Sequence, residues 1–345
     1  MVQRYDIHRT YDWNYEHAPA APPVADVPPC PGDWMFCGYR VNSPLGIPAG
    51  PLLNSKWILH YAGLGFDVLT YKTVRSAYRG CFDLPNLLPV AGGALYEEGH
   101  TLRAAADAAA YDSWAISFGM PSRDPSEWSE DIGVARAGLR AGQVLTVSVV
   151  ASPQAGWTLE DVARDFAVCA RRAADAGAHV VEANLSCPNV CTQEADLFLS
   201  PEAAGLVAAA VREAVPELPL ALKVGLFPHR ERMEEVVAAV APYANAICAT
   251  NSITAKVADD GGLLFGGLRR GIGGAAITER CLEETALLRS VLDAAGSGME
   301  LISVGGVTTA RDVRDRLRAG ATHVQIATAA MIDPMTAIRI RQEGL

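Results

Sequence analysis

From about residue 41 onward, short apolar runs alternate with segments of helical periodicity. The runs span residues 45–49, 67–72, 144–151, 179–184, 218–224, 246–251, 301–305 and 323–328. Each is a near-continuous stretch of Val, Ile, Leu and Ala, the pattern of strands buried on both faces in a parallel sheet. Clear helices lie between several of them. Thr158-Leu159-Glu160-Asp161 supplies a cap and an acidic first turn for a helix that runs to Ala176 and stops at Gly177. Ser200-Pro201-Glu202 opens another, with proline at the first helical position. A third runs from Thr309 to Ala319 and is closed by Gly320. Eight strand–helix units predict an α/β fold of the closed (βα)8, or TIM barrel, type, with an open doubly wound sheet as the runner-up.

Two connections are too long for ordinary βα loops. Residues 74–142 form a long insert after strand 2. Residues 252–276 follow the sixth strand and carry Gly261, Gly262, Gly266, Gly267, Gly271, Gly273 and Gly274. Inserts on the C-terminal face of a barrel build the walls and lid of a site. Ahead of the barrel (41–345) lies an N-terminal arm, 1–40, rich in proline and in aromatics such as Tyr5, Tyr11, Trp13 and Trp34. It shows neither helix nor strand periodicity. Its aromatics argue against disorder, so it is expected to pack on the barrel or on another subunit.

Composition narrows the partners. The 345 residues are half hydrophobic and one fifth charged, with a net charge of −10. That balance opposes binding to nucleic acid or to an anionic membrane, which needs clustered Lys and Arg. No apolar run reaches the roughly 18–20 residues of a membrane span, and the polar, aromatic N-terminus does not read as a secretory signal. Eight cysteines, at 30, 37, 81, 169, 187, 191, 248 and 281, include no Cys-x-x-Cys pair. Free thiols in a reducing, cytoplasmic setting are expected. Cys187 and Cys191 have no second Cys/His pair near in sequence, so no metal site is expected.

Candidate chemistry collects at the strand ends. In order these offer Pro48-Ala49-Gly50, Tyr71-Lys72-Thr73, Asn184 to Asn189, Leu222-Lys223-Val224, Thr250-Asn251-Ser252, Val304-Gly305-Gly306 and Ala327-Thr328. A barrel gathers them at one mouth. Gly305-Gly306 and Ala327-Thr328 suit an anion, through backbone N–H groups and a following helix N-terminus, at the usual phosphate position of such barrels. Lys72 and Lys223 sit among apolar neighbours, where an unpaired ammonium is costly. A ligand with negative charge or electron-rich carbonyls would partner them. A flavin fits; a sugar phosphate would fit the same anion site, which keeps an aldolase or isomerase open. His179 and His323 lie at strand starts, on the wrong face. Glu182 lies within a strand, read as facing away from the pocket or bridging to a neighbour. Cys187, beside Ser186, is the one nucleophile or base at a strand end. Its bland alternative is an ordinary loop with a buried structural thiol.

Asn184-Leu185-Ser186-Cys187-Pro188-Asn189 resembles the signature of the dihydroorotate dehydrogenases, specifically the soluble, cysteine-base class 1 branch. The resemblance runs over about residues 42–335. It takes in Asn42-Ser43-Pro44-Leu45-Gly46, Tyr71-Lys72-Thr73, Lys223, Asn251-Ser252, Gly271-Ile272-Gly273-Gly274, Val304-Gly305-Gly306-Val307 and Val324-Gln325-Ile326. The membrane-bound branch is similar but has serine at the place of Cys187 and an N-terminal membrane helix. The resemblance implies an FMN-containing (βα)8 barrel that oxidises a dihydropyrimidine. Ala49, Gly50, Lys72, Thr73, Asn184, Lys223, Ser252, Gly273, Gly274, Gly305, Gly306 and Thr328 would hold FMN. Cys187 would be the base, with Lys72 and Ser186 beside it. Asn184, Asn189 and Asn251, with Ser117, Gly119 and Met120 of the first insert, would hold the small-molecule substrate. A homodimer is common in the family. The electron acceptor is not readable, since the chain has no iron–sulfur motif and no Gly-x-Gly-x-x-Gly after a strand.

The chain also departs from the pattern. Members that oxidise dihydroorotate read Asn-Ser-Met-Gly-Leu-Pro-Asn in the first insert; here residues 116–122 read Ile-Ser-Phe-Gly-Met-Pro-Ser. Ile116 therefore replaces a substrate-binding asparagine. The loop after Asn189 lacks the usual Pro-Gly-Lys, and Ala327 replaces a glycine at the phosphate site. Flavin chemistry is expected to be kept while the substrate pocket is altered. The alternatives are a different, specialised-metabolism substrate, or a ligand-binding barrel without redox turnover.

Overall fold

The computed structural model describes residues 2–20, 25–91, 93–95, 99–105, 112–186 and 197–345. Eight short strands lie at the expected places: β1 (Leu45–Ile47), β2 (Val68–Val74), β3 (Val144–Val149), β4 (Val180–Asn184), β5 (Leu220–Lys223), β6 (Ala246–Ala249), β7 (Glu300–Val304) and β8 (His323–Gln325). All neighbours are parallel and in chain order, and β8 pairs back onto β1 to close the barrel. Every residue of β2, β3, β4, β5 and β6 is buried, as their unbroken apolar runs require. The open sheet is thereby set aside.

The helices that cover the strands are α1 (Ser55–Gly63), α2 (Pro125–Gly138), α3 (Leu159–Asp175), α4 (Pro201–Ala214), α5 (Arg230–Val240), α6 (Thr278–Ala294), α7 (Ala310–Arg318) and α8 (Thr336–Glu343). Their starts follow local chemistry. Thr158 and Asp161 form a reciprocal capping box on α3, and Thr309 and Asp312 do the same on α7. Ser200 accepts from the Ala203 N–H at the head of α4, with Pro201 in the first turn.

Side chains alternate along each strand, so every second residue faces the barrel axis. The bottom layer is apolar. Val68, Val144, Val180, Ala221, Ala246 and Ile302 pack with Phe36 and Val41 of a hairpin formed by Trp34–Phe36 and Tyr39–Val41. That hairpin plugs the N-terminal mouth, and His323 meets the edge of Phe36 at 5.0 Å between ring centres. The arm, whose sequence shows no helix or strand periodicity, thus carries short regular elements. The hairpin is held by the barrel floor, and a one-and-a-half-turn helix, Tyr11–Glu16, by the Thr10 cap and by Asn14. Six residues are too few to show a period. The arm packs on its own barrel: Asn54 and Trp57 donate to the carbonyls of Tyr15 and Asn14. Tyr5 and Tyr11 set their edges against Phe118 at 6.1 and 6.3 Å.

The two long inserts meet in one accessory sheet. The first supplies Leu87–Ala91, Thr101–Ala104 and Ser113–Ile116; the second supplies Ile253–Asp259, Gly262–Leu263 and Arg270–Gly274. Arg270–Gly274 runs antiparallel between Ile253–Asp259 and Ser113–Ile116, with Gly271 opposite Ile116. Thr101–Ala104 also pairs with Ile253–Asp259, which ties the two inserts together a second time.

Candidate active site

A cavity of about 880 Å³ opens at the C-terminal ends of the strands, under the accessory sheet. Its size falls in the roughly 300–1,000 Å³ range of cofactor and small-molecule sites. Every described residue expected to hold cofactor or substrate lines it. On the barrel side these are Ala49, Gly50, Lys72, Thr73, Asn184, Ser186, Lys223, Gly305, Gly306 and Thr328. On the insert side they are Ser117, Gly119, Met120, Asn251, Ser252, Gly273 and Gly274. Cys187 and Asn189 lie outside the described residues.

The floor is polar. Lys223, only 3 % exposed, donates to Cys248 Sγ at 3.4 Å. Cys248 Sγ donates to Gln325 Oε1 at 3.4 Å, and Gln325 Nε2 donates to Thr70 Oγ1 at 3.2 Å. Burial pushes the Cys248 thiol up to about 12, against the opposing pull of Lys223, so the sulfur acts as a neutral donor and acceptor. Glu182 was expected to face away or to bridge to a neighbour. It shares the inward parity of Val180 and Asn184, is buried, and stands against Cys248. Its Oε1 has no hydrogen-bond partner. Cys248 and Gln325 went unnoticed as site residues. Two-residue counting from Thr250 and Ala327 places both on the inner face, so strand parity was the available signal.

Across the mouth, carboxamides and hydroxyls form a chain. Asn251 Nδ2 donates to Ser186 Oγ, which donates to Asn184 Oδ1 at 3.1 Å. Asn184 Nδ2 reaches Thr73 Oγ1 at 3.5 Å and Met120 Sδ at 3.7 Å, and Thr73 Oγ1 donates to Ser148 Oγ at 3.1 Å. The ends of β2, β3, β4 and β6 are thus joined around one side of the cavity.

The opposite wall is glycine. Gly305 and Gly306 take φ of +113° and +75°, in the range that favours glycine. A Cβ on Gly306 would stand 2.3–2.6 Å from Thr278, including its backbone. Thr278 Oγ1 donates to the Gly306 carbonyl at 2.8 Å, and the buried Arg316 donates to the carbonyls of Gly305 and Thr278 at 2.7 Å each. Both glycine carbonyls are therefore committed to the protein. A Cβ on Gly50 would meet nothing within 4 Å, because the backbone there faces open cavity. The helix after β8 is short, Thr328–Ile332.

The insert side carries the departures. Ile116 lies over Gly273, whose Cβ would come 3.3 Å from Ile116 Cδ1. Phe118 is held by Tyr5 and Tyr11 of the arm. Arg270 and Arg280 also line the cavity; neither was singled out from sequence, since no local pattern marks them. Among the described residues no cluster of His, Cys, Asp and Glu could hold a metal ion, and no helix is long and apolar enough to cross a membrane.

Comparison with known proteins gives a consistent result. A family model described as dihydroorotate dehydrogenase matches residues 134–344. The chain is 31% identical to a dihydroorotate dehydrogenase of Dictyostelium discoideum over 356 aligned residues, covering 97% of this chain and 95% of that one. It is 34% identical over 193 residues to a dihydroorotate dehydrogenase (quinone) of Pseudarthrobacter chlorophenolicus, covering 54% of this chain and 53% of the relative. It is 30% identical over 165 residues to a dihydroorotate dehydrogenase B (NAD(+)), catalytic subunit, of Staphylococcus carnosus, covering 47% and 52%.

Proposed function

The chain belongs to the dihydroorotate dehydrogenase family, and from that premise we propose that it is an FMN-dependent oxidoreductase acting on the CH–CH bond of a dihydropyrimidine or related cyclic amide. The observation that carries this reading is the convergence of three surfaces on one cavity: a glycine wall, a floor with a buried lysine, and a rim of carboxamides. The residues present suit the flavin. Gly305 and Gly306, whose positive-φ backbone packs tightly on Cys281 and Thr278 and lines the cavity, would hold its phosphate; the open space at Gly50 would admit its aromatic ring, and Lys223 would offer that ring a cation. When bound, FMN supplies the hydride acceptor.

This chain's own residues do the rest. Asn184 and Asn251 present both donors and acceptors, the match for an imide edge, and Ser186 between them fixes their orientation. Cys187, next in sequence to Ser186, is proposed to remove the proton from the carbon beside the one that gives up hydride. A thiol near lysine and backbone donors can be tuned toward neutrality for that task. Lys72 is proposed to serve both cofactor and substrate. The inserts roof the site, and Tyr5 and Tyr11 of the arm pack against Phe118 of that roof.

The substrate itself is less closely tied to the family. Ile116 presents an apolar side chain where the dihydroorotate-oxidising members have asparagine, which favours a second reading: the same chemistry on another ring. The relatives' names include both quinone and NAD(+) types, so they select no acceptor. A cytoplasmic setting fits the charge and cysteine usage, and the family resemblance suggests a homodimer.

The decisive experiment is anaerobic addition of dihydroorotate to the purified, yellow protein. Bleaching of the flavin supports the first reading. Bleaching only by other dihydropyrimidines supports the second. Colourless protein that takes up no FMN overturns both. Cys187→Ser should slow bleaching at neutral pH; an unchanged rate removes Cys187 from the base role.

A further inference from the structure

Arg270 stands at the first position of the strand Arg270–Gly274, one residue before the Gly271–Ile116 pair. Its Nε donates to Ser117 Oγ at 2.8 Å, and Ser117 is itself buried. One Nη1–H goes to the Arg269 carbonyl at 2.9 Å. The guanidinium carbon lies 4.9 Å from the centre of the Phe265 ring and 5.8 Å from that of Phe82. Two rings and two hydrogen bonds therefore fix the plane of this group at the wall of the cavity.

Among the described residues the group has no counter-ion. Arg280, which also lines the cavity, pairs with Glu284 at 2.9 Å and with Glu283 at 4.0 Å. Lys223 is engaged with Cys248. Arg270 faces no carboxylate among the described residues, and burial lowers its pKa with nothing to oppose it. A half-buried cation with a fixed plane, and with N–H groups and a charge that no described residue answers, suits a planar anion taken two-pronged.

The position matters as much as the charge. Arg270 contacts Ser117, directly after Ile116, on the insert side of the cavity. Ile116 removes a polar side chain from that wall, and Arg270 brings one in from the facing strand. Resting on the dehydrogenase reading above, we propose that Arg270 is the specificity-determining residue that binds a carboxylate substituent on the ring of the substrate.

The test uses two probes with the same ring, orotate and its uncharged methyl ester, titrated calorimetrically into the purified full-length protein. Flavin content is read separately from the visible spectrum. The wild-type chain should bind orotate at least tenfold more tightly than the ester. Arg270→Gln should abolish that preference while leaving the ester's affinity within about twofold. Arg270→Lys, which keeps charge but not the planar fork, should restore part of it. Equal binding of the two probes by the wild type overturns the proposal, as does a preference that survives in Arg270→Gln. Should Arg270→Gln not fold, the Lys variant decides: an undiminished preference overturns the planar, two-pronged contact. Colourless protein that still prefers orotate would sink the flavin reading and keep this one; yellow protein with no preference would do the reverse.

Discussion

Asn251 at the end of β6 donates its amide to Ser186 Oγ just past the end of β4, joining two strands across the mouth of the barrel. Ser186 passes the contact on to Asn184. Removing the hydroxyl leaves one carboxamide donor and one carboxamide acceptor without their fixed partner. Ser186→Ala should cost about 1 kcal/mol of stability, since both groups border an open cavity where water can replace the lost bond. Its larger effect should fall on ligand: weaker binding of a pyrimidine, measured by titration, with an unfolding midpoint close to wild type. Normal binding with a large stability loss would show the contact to be purely structural.

Gly306→Ala tests the glycine wall. At φ +75° an L-residue is strained by roughly 1–2 kcal/mol, and the new methyl also meets the Thr278 backbone, which cannot swing aside. The variant should unfold at lower urea and purify with less than a tenth of the wild-type flavin. Gly38→Ala, also at positive φ but with open space for a Cβ, should lose stability alone. Full flavin in Gly306→Ala would show that the cofactor phosphate lies elsewhere.

His323 makes the plug acid-sensitive. Burial lowers its pKa from 6.5 to about 4, and neither ring nitrogen has a hydrogen-bond partner. Glu300 Oε2 lies 3.9 Å away, but burial raises that carboxyl, so it is a poor counter-ion. The unfolded chain takes up a proton below pH 6.5 that the native state resists. Stability should therefore fall as pH drops from about 6.5 to about 4, by up to roughly 3 kcal/mol from this residue. Protonation of Glu300 works against that loss and would shrink it. Urea titrations across the window should show a steeper loss for wild type than for His323→Gln; parallel slopes would refute the assignment.

Three thiols should be silent in the native state. Burial raises Cys169 and Cys248 to about 12 and Cys281 to about 11. Alkylation at about pH 8 needs both thiolate and access. Iodoacetamide followed by peptide mass spectrometry should label these positions only after denaturation, while half-exposed Cys30 reacts slowly in the fold. Native labelling of Cys248 would mean that the floor opens.

If the proposed substrate site is right, Ile116→Asn should add a polar contact at the insert wall of the cavity. The side chain is partly exposed in the cavity, so the loss of packing is small. One added hydrogen bond, about 1 kcal/mol, predicts a roughly fivefold gain in affinity for a dihydropyrimidine that the wild type binds weakly. No gain would place the ring away from residue 116.

The eight strands were readable because each is sheathed on both sides and so written as an apolar run; β2 and β3 have no exposed residue at all. The capping boxes of α3 and α7 were readable because they are local. The pairing of Gly271 with Ile116 was not, because its register depends on two inserts separated by some of the barrel's own strands. The Tyr11–Glu16 helix was missed because tertiary contacts, rather than a repeated apolar face, hold it. Of the site, the strand-end residues were found by position. Cys248, Gln325 and Arg270 were missed because their importance lies in what stands opposite them.

The accessory sheet divides the cavity's history into two halves. Its floor belongs to strands whose every substitution must also satisfy barrel closure. Its roof is a seam between two surface excursions, with Ile116 on one and Arg270 on the other. Changes there leave the barrel intact, so a lineage can trade one substrate for another while the redox machinery beneath stays as it was. Ile116 and Arg270, one register step apart on the two strands of the seam, sit where that freedom is greatest.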